Sequence, residues 1–263
     1  MNKLSVVMIT QNVEDKVIPA LESARFADEI VVVDAGSQDK TLSICRQYTD
    51  KIYYNDWPGT TTKQWNAAIA KACGDWVLLL ASDEQIGQDL REEIKQLLES
   101  ESTAAGYYVS MKNIYLGKWL KTCGIYPDMV SRLFRKGKGR FEEREHGSIL
   151  VDGKIEKLSG HIIHYSYRSI AEVLEKTLRY TTLEAERLFA EGFALKKRYF
   201  ISKPWRVFKK TYFKFKGYRD GIEGFLFCAF SAIYRFILLA KIWELQNKQA
   251  IKDQVENLIK ENQ

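Results

Sequence analysis

The sequence predicts an α/β fold in which a mostly parallel, Rossmann-like sheet carries helices on both faces. Short apolar runs alternate with segments of helical spacing over the first hundred residues. The runs are apolar throughout rather than at every second position, as in strands buried on both faces. Polar clusters at 10–14, 34–39 and 82–84 fall directly after such runs, and ligands of open α/β sheets bind beyond the carboxyl ends of the strands.

Residues 4–9 form the first expected strand, followed by Thr10-Gln11-Asn12 and a helix over 14–24 on which Val17, Ile18, Leu21 and Ala24 share a face. A second, β-branched run at 29–33 ends in Asp34-Ala35-Gly36-Ser37-Gln38-Asp39 and leads into a helix at about 41–48. A strand at 51–54, a helix over 62–73 and a strand at 76–80 repeat the pattern. Beyond residue 106 the strands become less regular, with candidates at 107–111, 130–134, 148–151 and 161–165. A helix over 169–189 follows, its buried stripe marked by Val173, Leu174, Thr177, Leu178, Thr181 and Leu188. After Glu191-Gly192 the composition turns basic and aromatic, so the expected division is a main domain over 1–195 and a helical extension over 196–263.

The 263 residues, 46% hydrophobic, suffice for one full core with a smaller appended element. With 28% charged residues and no compositionally simple stretch, extensive disorder is not expected. Cys45, Cys73, Cys123 and Cys228 are scattered, form no metal-binding spacing and read as reduced thiols of a cytosolic protein. The N-terminal residues enter a strand-like run without the pattern of a secretory signal, so export is not expected. The net charge of +6 is unevenly spread: residues 196–219 hold many Lys and Arg and no Asp or Glu, which is where an anionic partner would bind.

Asp34 stands at a strand end before a Gly-Ser turn, placed to accept hydrogen bonds from a ribose hydroxyl or a base N–H, whereas Asp39 reads as a helix cap. Asp83 emerges after the run Trp76-Val77-Leu78-Leu79-Leu80. A carboxylate there can hold a divalent cation that bridges phosphates. Its neighbour Glu84 reads as a helix-start residue favoured by the helix dipole. Of His146, His161 and His164, the last two are spaced so that, on a strand, they point to opposite faces and at most one enters the site. Glu142, Glu143 and Glu145 lie in an Arg-rich run that supplies a candidate general base.

The stretches Ser5-Val6-Val7-Met8-Ile9-Thr10-Gln11-Asn12, Phe26-Ala27-Asp28-Glu29-Ile30-Val31-Val32-Val33-Asp34-Ala35-Gly36-Ser37-Gln38-Asp39-Lys40-Thr41 and Gly74-Asp75-Trp76-Val77-Leu78-Leu79-Leu80 resemble family 2 inverting glycosyltransferases of the GT-A fold. Tyr126-Pro127-Asp128, Arg132-Leu133-Phe134-Arg135, His164-Tyr165-Ser166-Tyr167 and Tyr218-Arg219-Asp220-Gly221-Ile222-Glu223-Gly224 are similar to the lipopolysaccharide core β-glucosyltransferase branch. The resemblance implies transfer of a hexose from a UDP-sugar donor to a lipid-linked saccharide acceptor such as lipopolysaccharide core, the alternative being a family 2 transferase that acts on a capsule, a teichoic polymer or a protein. It places Thr10, Asn12 and Asp34 in the nucleotide pocket, with Lys63, Asn66 and Arg132 also on the donor side. It further implies that Asp83 and His164 approach a Mg²⁺ or Mn²⁺ ion, and that Glu145, with Asp128 second, is the base. Ala81-Ser82-Asp83-Glu84 stands where the branch reads Asp-Ala-Asp-Glu, and Gly147 where many relatives carry Glu.

In the extension, Tyr199, Phe200, Trp205, Phe208, Tyr212, Phe213 and Phe215 are interleaved with Lys and Arg, a pattern suited to lipid headgroups. Residues 225–240 are apolar but interrupted by Arg235, shorter than the roughly 20 residues of a membrane span. The expectation is a peripheral protein on an anionic membrane surface, at the cytoplasmic face of the plasma membrane. The same basic and aromatic stretch could stack bases and contact phosphates, but nucleic acid is not expected as a partner, because such binding leaves the strand-end carboxylates without a role.

Overall fold

A computed structural model describes residues 2–142 and 147–261. The elements run in the order β1 Leu4–Thr10, α1 Val17–Ala24, β2 Glu29–Asp34, α2 Thr41–Cys45, β3 Ile52–Tyr54, α3 Thr61–Lys71, β4 Trp76–Leu79, β5 Glu84–Ile86, α4 Gln88–Glu99, β6 Gly106–Tyr115, β7 Lys118–Trp119, β8 Asp128–Arg135, β9 Gly139–Phe141, β10 Ile149–Val151, β11 Ile155–Tyr167, α5 Ile170–Ala190, α6 Tyr199–Lys209 and α7 Gly221–Glu261. Among the described residues the main sheet follows the order β3-β2-β1-β4-β8-β6-β11-β5, with β7 paired to β6 and a separate β9–β10 pair. The first four strands are parallel. Strand β8 then pairs antiparallel with both β4 and β6, and β5 with β11. The parallel half is the one read from the apolar runs; the antiparallel half completes a mixed sheet.

Successive side chains of the parallel strands face opposite ways, and both faces are covered. On one face Leu4, Val6, Met8, Ile30 and Val32 pack with Val17, Leu21, Leu90 and Ile94 of α1 and α4. On the other, Val7, Val31, Val33, Val77 and Leu79 pack with Trp65 and Ala68 of α3. A register of Thr10 opposite Asp34 brings the ends of β1 and β2 level.

The chain divides into two compact units, one of residues 1–113 and 127–166 and the other of 114–126 and 167–263. This division differs from the boundary expected near residue 195, because α5 shares its core with α7: Ala185 is buried with Leu238 and Ile242. In the same unit Tyr115, Leu120 and Val173 form a cluster with Leu226, Phe227 and Phe230. Asp220 holds the 114–126 segment there, accepting hydrogen bonds from Lys121 N at 2.9 Å, Thr122 N at 2.8 Å and Thr122 Oγ1 at 2.6 Å. The region Gly217–Val255 forms a helix long and apolar enough, by length and composition, to cross a membrane.

Candidate active site

The ends of β1 and β2 are joined by a dense set of hydrogen bonds. Asp34, 2% exposed, accepts from Thr10 Oγ1 at 2.9 Å and Ser37 Oγ at 2.6 Å on Oδ1, and from Gly36 N at 2.8 Å and Ser37 N at 2.7 Å on Oδ2. A carboxylate offers about four acceptor positions, so these four donors use its capacity. In this arrangement Asp34 fixes the turn rather than presenting open acceptors to a ribose. Asn12, at φ +50, ties the β1 loop to the β2 loop by accepting from Gln38 N at 2.8 Å, while its own N–H donates to Ser37 Oγ at 2.9 Å. Asp39 accepts from Thr41 N at 2.9 Å at the start of α2, in line with a capping role, and from Glu14 N at 3.1 Å. Tyr54, opposite Asp34 in the register of β3, is 68% exposed. A Cβ on Gly36 would lie 3.6 Å from its ring. No motif marks Tyr54 in the sequence; its place at the end of the strand next to that of Asp34 is the one signal it carries.

Past β4, a turn presents Asp83. Glu84 N donates to Ala81 O at 3.0 Å while Glu84 Oε2 accepts from Ala81 N at 2.8 Å, closing the turn from both sides. Glu84 is buried and its other oxygen meets the Arg132 guanidinium. The expected helix-start role of Glu84 is therefore corrected: it opens β5, and the next helix begins at Gln88. Its burial is tolerated because Arg132 compensates the charge. Arg132 engages Glu84 through Nη2, while its Nε is buried without a hydrogen-bond partner among the described residues. Asn66 is committed, since its amide both donates to Phe141 O at 3.0 Å and accepts from Phe141 N at 2.8 Å, holding β9 against α3. Lys63 is exposed on the first turn of α3.

His164 Nε2 lies 3.7 Å from Asp83 Oδ2. Its Nδ1 is 2.9 Å from Asn113 Oδ1, and Asn113 Nδ2 donates to Asp128 Oδ2 at 3.3 Å. The carboxylate of Asp128 fixes the amide orientation, because only the NH₂ end can donate to it. Because Asn113 Oδ1 can only accept and lies 2.9 Å from Nδ1, a neutral His164 carries its proton on Nδ1, and the Nε2 lone pair faces Asp83. Ser166 Oγ, 3.1 Å from Nδ1 and 3.3 Å from Asn113 Oδ1, supports the same edge. As expected for a strand, His161 points elsewhere, pairing with Asp89 at 2.6 Å. Asp83, His164 and Asp128 are thus brought together through Asn113, which nothing in its local sequence marked. Glu145 lies outside the described residues. No group of three or more His, Cys, Asp or Glu suited to a metal occurs among the described residues.

A family model for glycosyl transferase family 2 matches residues 5–150, more than half of the chain. Over 92% of its length the chain is 27% identical to the lipopolysaccharide core biosynthesis glycosyltransferase LpsC of Rhizobium meliloti, 92% of which is covered. It is 28% identical over 94% of its length to an uncharacterized glycosyltransferase of Rickettsia typhi, 89% of which is covered. Among solved structures, Staphylococcus aureus TarS 1-349 in complex with UDP-GlcNAc aligns over 94% of this chain and 92% of that one, with 15% identity and a TM-score of 0.47. The match across β1 to β10, on a mixed α/β sheet, establishes that the chain belongs to glycosyl transferase family 2 and is a glycosyltransferase.

Proposed function

We propose that this glycosyltransferase moves a hexose from a UDP-sugar to a lipid-linked saccharide such as lipopolysaccharide core, with inversion at the anomeric carbon and at the cytoplasmic face of the membrane. The observation that carries the reading is the convergence of Asp83, His164 and Asp128 beside the turn that follows β4. Similarity to LpsC over nearly the whole chain supports the acceptor class.

The loops after β1 and β2, held by Thr10, Asn12 and Asp34, receive the nucleotide, with Lys63 exposed on the first turn of α3 and the face of Tyr54 available for stacking. Asp83 and His164 fit a divalent cation as a pair, since a lone-pair-bearing Nε2 faces a carboxylate oxygen. Mg²⁺ usually takes only one or two protein carboxylates and completes its shell with water and phosphate. A Mg²⁺ or Mn²⁺ ion bound there would neutralise charge gathering on the departing nucleoside diphosphate. Glu145 is the first candidate to take the acceptor proton; Asp128, held by Asn113, is the second.

The membrane reading is supported by exposed Ile201, Trp205 and Phe213 on α6 and the following segment, interleaved with Lys and Arg. Incubating the full chain with a panel of nucleotide sugars and a lipid-linked core saccharide, and reading the product's anomeric configuration by NMR, tests the proposal. A β-linked hexose from an α-linked UDP donor is expected. Transfer only from another donor class, or with retention, overturns it.

A further inference from the structure

The second compact unit contains a cavity of about 470 Å³ lined entirely by its own residues, a size within the roughly 300–1,000 Å³ of small-molecule sites. Aromatic rings, among them Tyr115, Tyr167, Phe227 and Phe230, form much of its wall, and no Asp or Glu lines it. Two cations do: Arg235, whose guanidinium is 3.5 Å from Glu184, and Lys210, whose ammonium lies 5.3 Å from the centre of the Phe215 ring with no ion pair among the described residues. The lining hydroxyls of Thr211 and Ser231 donate to backbone carbonyls of their own helical segments, at 3.0 Å and 2.7 Å.

The helix changes character at this wall. Lys210 and Thr211 open a π-helical segment, Lys210–Lys214, and such turns frequently mark functional sites. The buried Tyr115 hydroxyl has no hydrogen-bond partner among the described residues, but one such group on a mostly aromatic wall would leave most hydroxyls of a neutral saccharide unpaired. A small hydrated anion fits poorly as well, since aromatic walls replace none of the water it would lose.

We propose that this cavity binds an anionic amphiphile, with a hydrocarbon chain against the aromatic wall and a phosphate or carboxylate headgroup at Lys210 and Arg235. None of its lining residues is among those proposed for sugar transfer. Arginine and lysine supply charge-assisted hydrogen bonds to such a headgroup, and the rings supply the apolar contact that a chain requires.

The test is calorimetric titration of the full-length protein with 1-oleoyl-lysophosphatidate below its micellar concentration. Monooleoylglycerol provides the same chain without charge, and glycerol 3-phosphate provides the headgroup without a chain. Saturable one-to-one binding of lysophosphatidate is expected, with each half-ligand weaker by about tenfold or more and Lys210→Gln weakening binding by about tenfold, the scale of one hydrogen bond to a charged group. Ser231→Phe should fill the cavity and abolish binding, with Val207→Phe as a second filling variant should the first not fold. Three results overturn the proposal: no binding to the wild type, glycerol 3-phosphate binding as tightly as lysophosphatidate, or binding that survives a folded cavity-filling variant. UDP-sugar binding measured in the same samples keeps failure of this site distinct from failure of the transferase reading.

Discussion

Asn113 sits between two groups of opposite chemical need. Its NH₂ serves the Asp128 carboxylate and its carbonyl serves His164 Nδ1, so one side chain sets both the tautomer of the imidazole and the position of the carboxylate. Partners that orient a metal-ligating histidine typically change metal affinity by about 10–100-fold when removed. Asn113→Leu is therefore expected to raise the Mn²⁺ concentration needed for half-maximal activity by that order while donor binding and thermal stability are kept. Unchanged metal dependence would show that Asn113 has no positioning role. Asp83→Ala should abolish transfer in a folded protein, and full wild-type activity in excess chelator would remove the ion from the mechanism. For the base, Glu145→Gln is expected to lower turnover by about 10²–10⁴-fold with donor binding retained; the same loss in Asp128→Asn alone would reverse the assignment.

Among the elements, the parallel strands were readable because burial on both faces leaves an uninterrupted apolar run, as in the four residues Trp76–Leu79 of β4, all buried. What joins them was not readable. Glu84 looked like a helix start because its partner Arg132 is 48 positions away, and Asn113 and His164 are 51 apart. Sequence spacing carries no trace of pairings made only when β8, β6 and β11 align. Asp34 was legible as a strand-end carboxylate, but not the consumption of its acceptors by Thr10, Gly36 and Ser37. At the opposite strand ends, Glu29 accepts from Ser5, Lys51 and the backbone N–H of Cys73 and Gly74. Burial works against its ionisation, yet these hydrogen bonds outweigh burial and lower its pKa from 4.5 to about 2. A depressed carboxylate contributes stability that is present above its unfolded pKa and is lost as pH falls through the folded one. Chemical denaturation at a series of pH values should show stability falling between 4.5 and about 2, with Glu29→Gln less stable at neutral pH and flatter over that window. An identical slope in the variant would assign the acid sensitivity to other groups.

For the whole molecule, the basic and aromatic C-terminal region has two faces with different duties. Its inner residues Cys228, Leu238, Leu239 and Ile242 are fully or almost fully buried, and Ala185 of α5 shares a core with Leu238 and Ile242. Each large apolar side chain buried this way contributes about 1.5–3 kcal/mol, against a total stability of about 5–15 kcal/mol for a typical domain. A chain ending at Leu195 loses all of these contacts and is expected to expose α5 and aggregate or be proteolysed. A folded, protease-resistant truncation would show that 196–263 is a dispensable anchor. The outer residues Trp205 and Phe213 are 59% and 55% exposed, whereas Phe208 is half-buried and stacked between Trp205 at 6.1 Å and Tyr212 at 5.2 Å. Substituting Phe208 would therefore confound anchoring with packing, and the discriminating variant is Trp205→Ser combined with Phe213→Ser. Lysine and arginine near an anionic surface contribute about 1 kcal/mol each and are screened by salt, while ring insertion is not screened. Binding to vesicles containing anionic lipid should weaken but persist at high ionic strength for the wild type, and the residual part should disappear in the double variant with no change in melting temperature. Salt-resistant binding that survives both substitutions would place the apolar contact elsewhere, on the exposed face of α7 around Phe225 and Phe236.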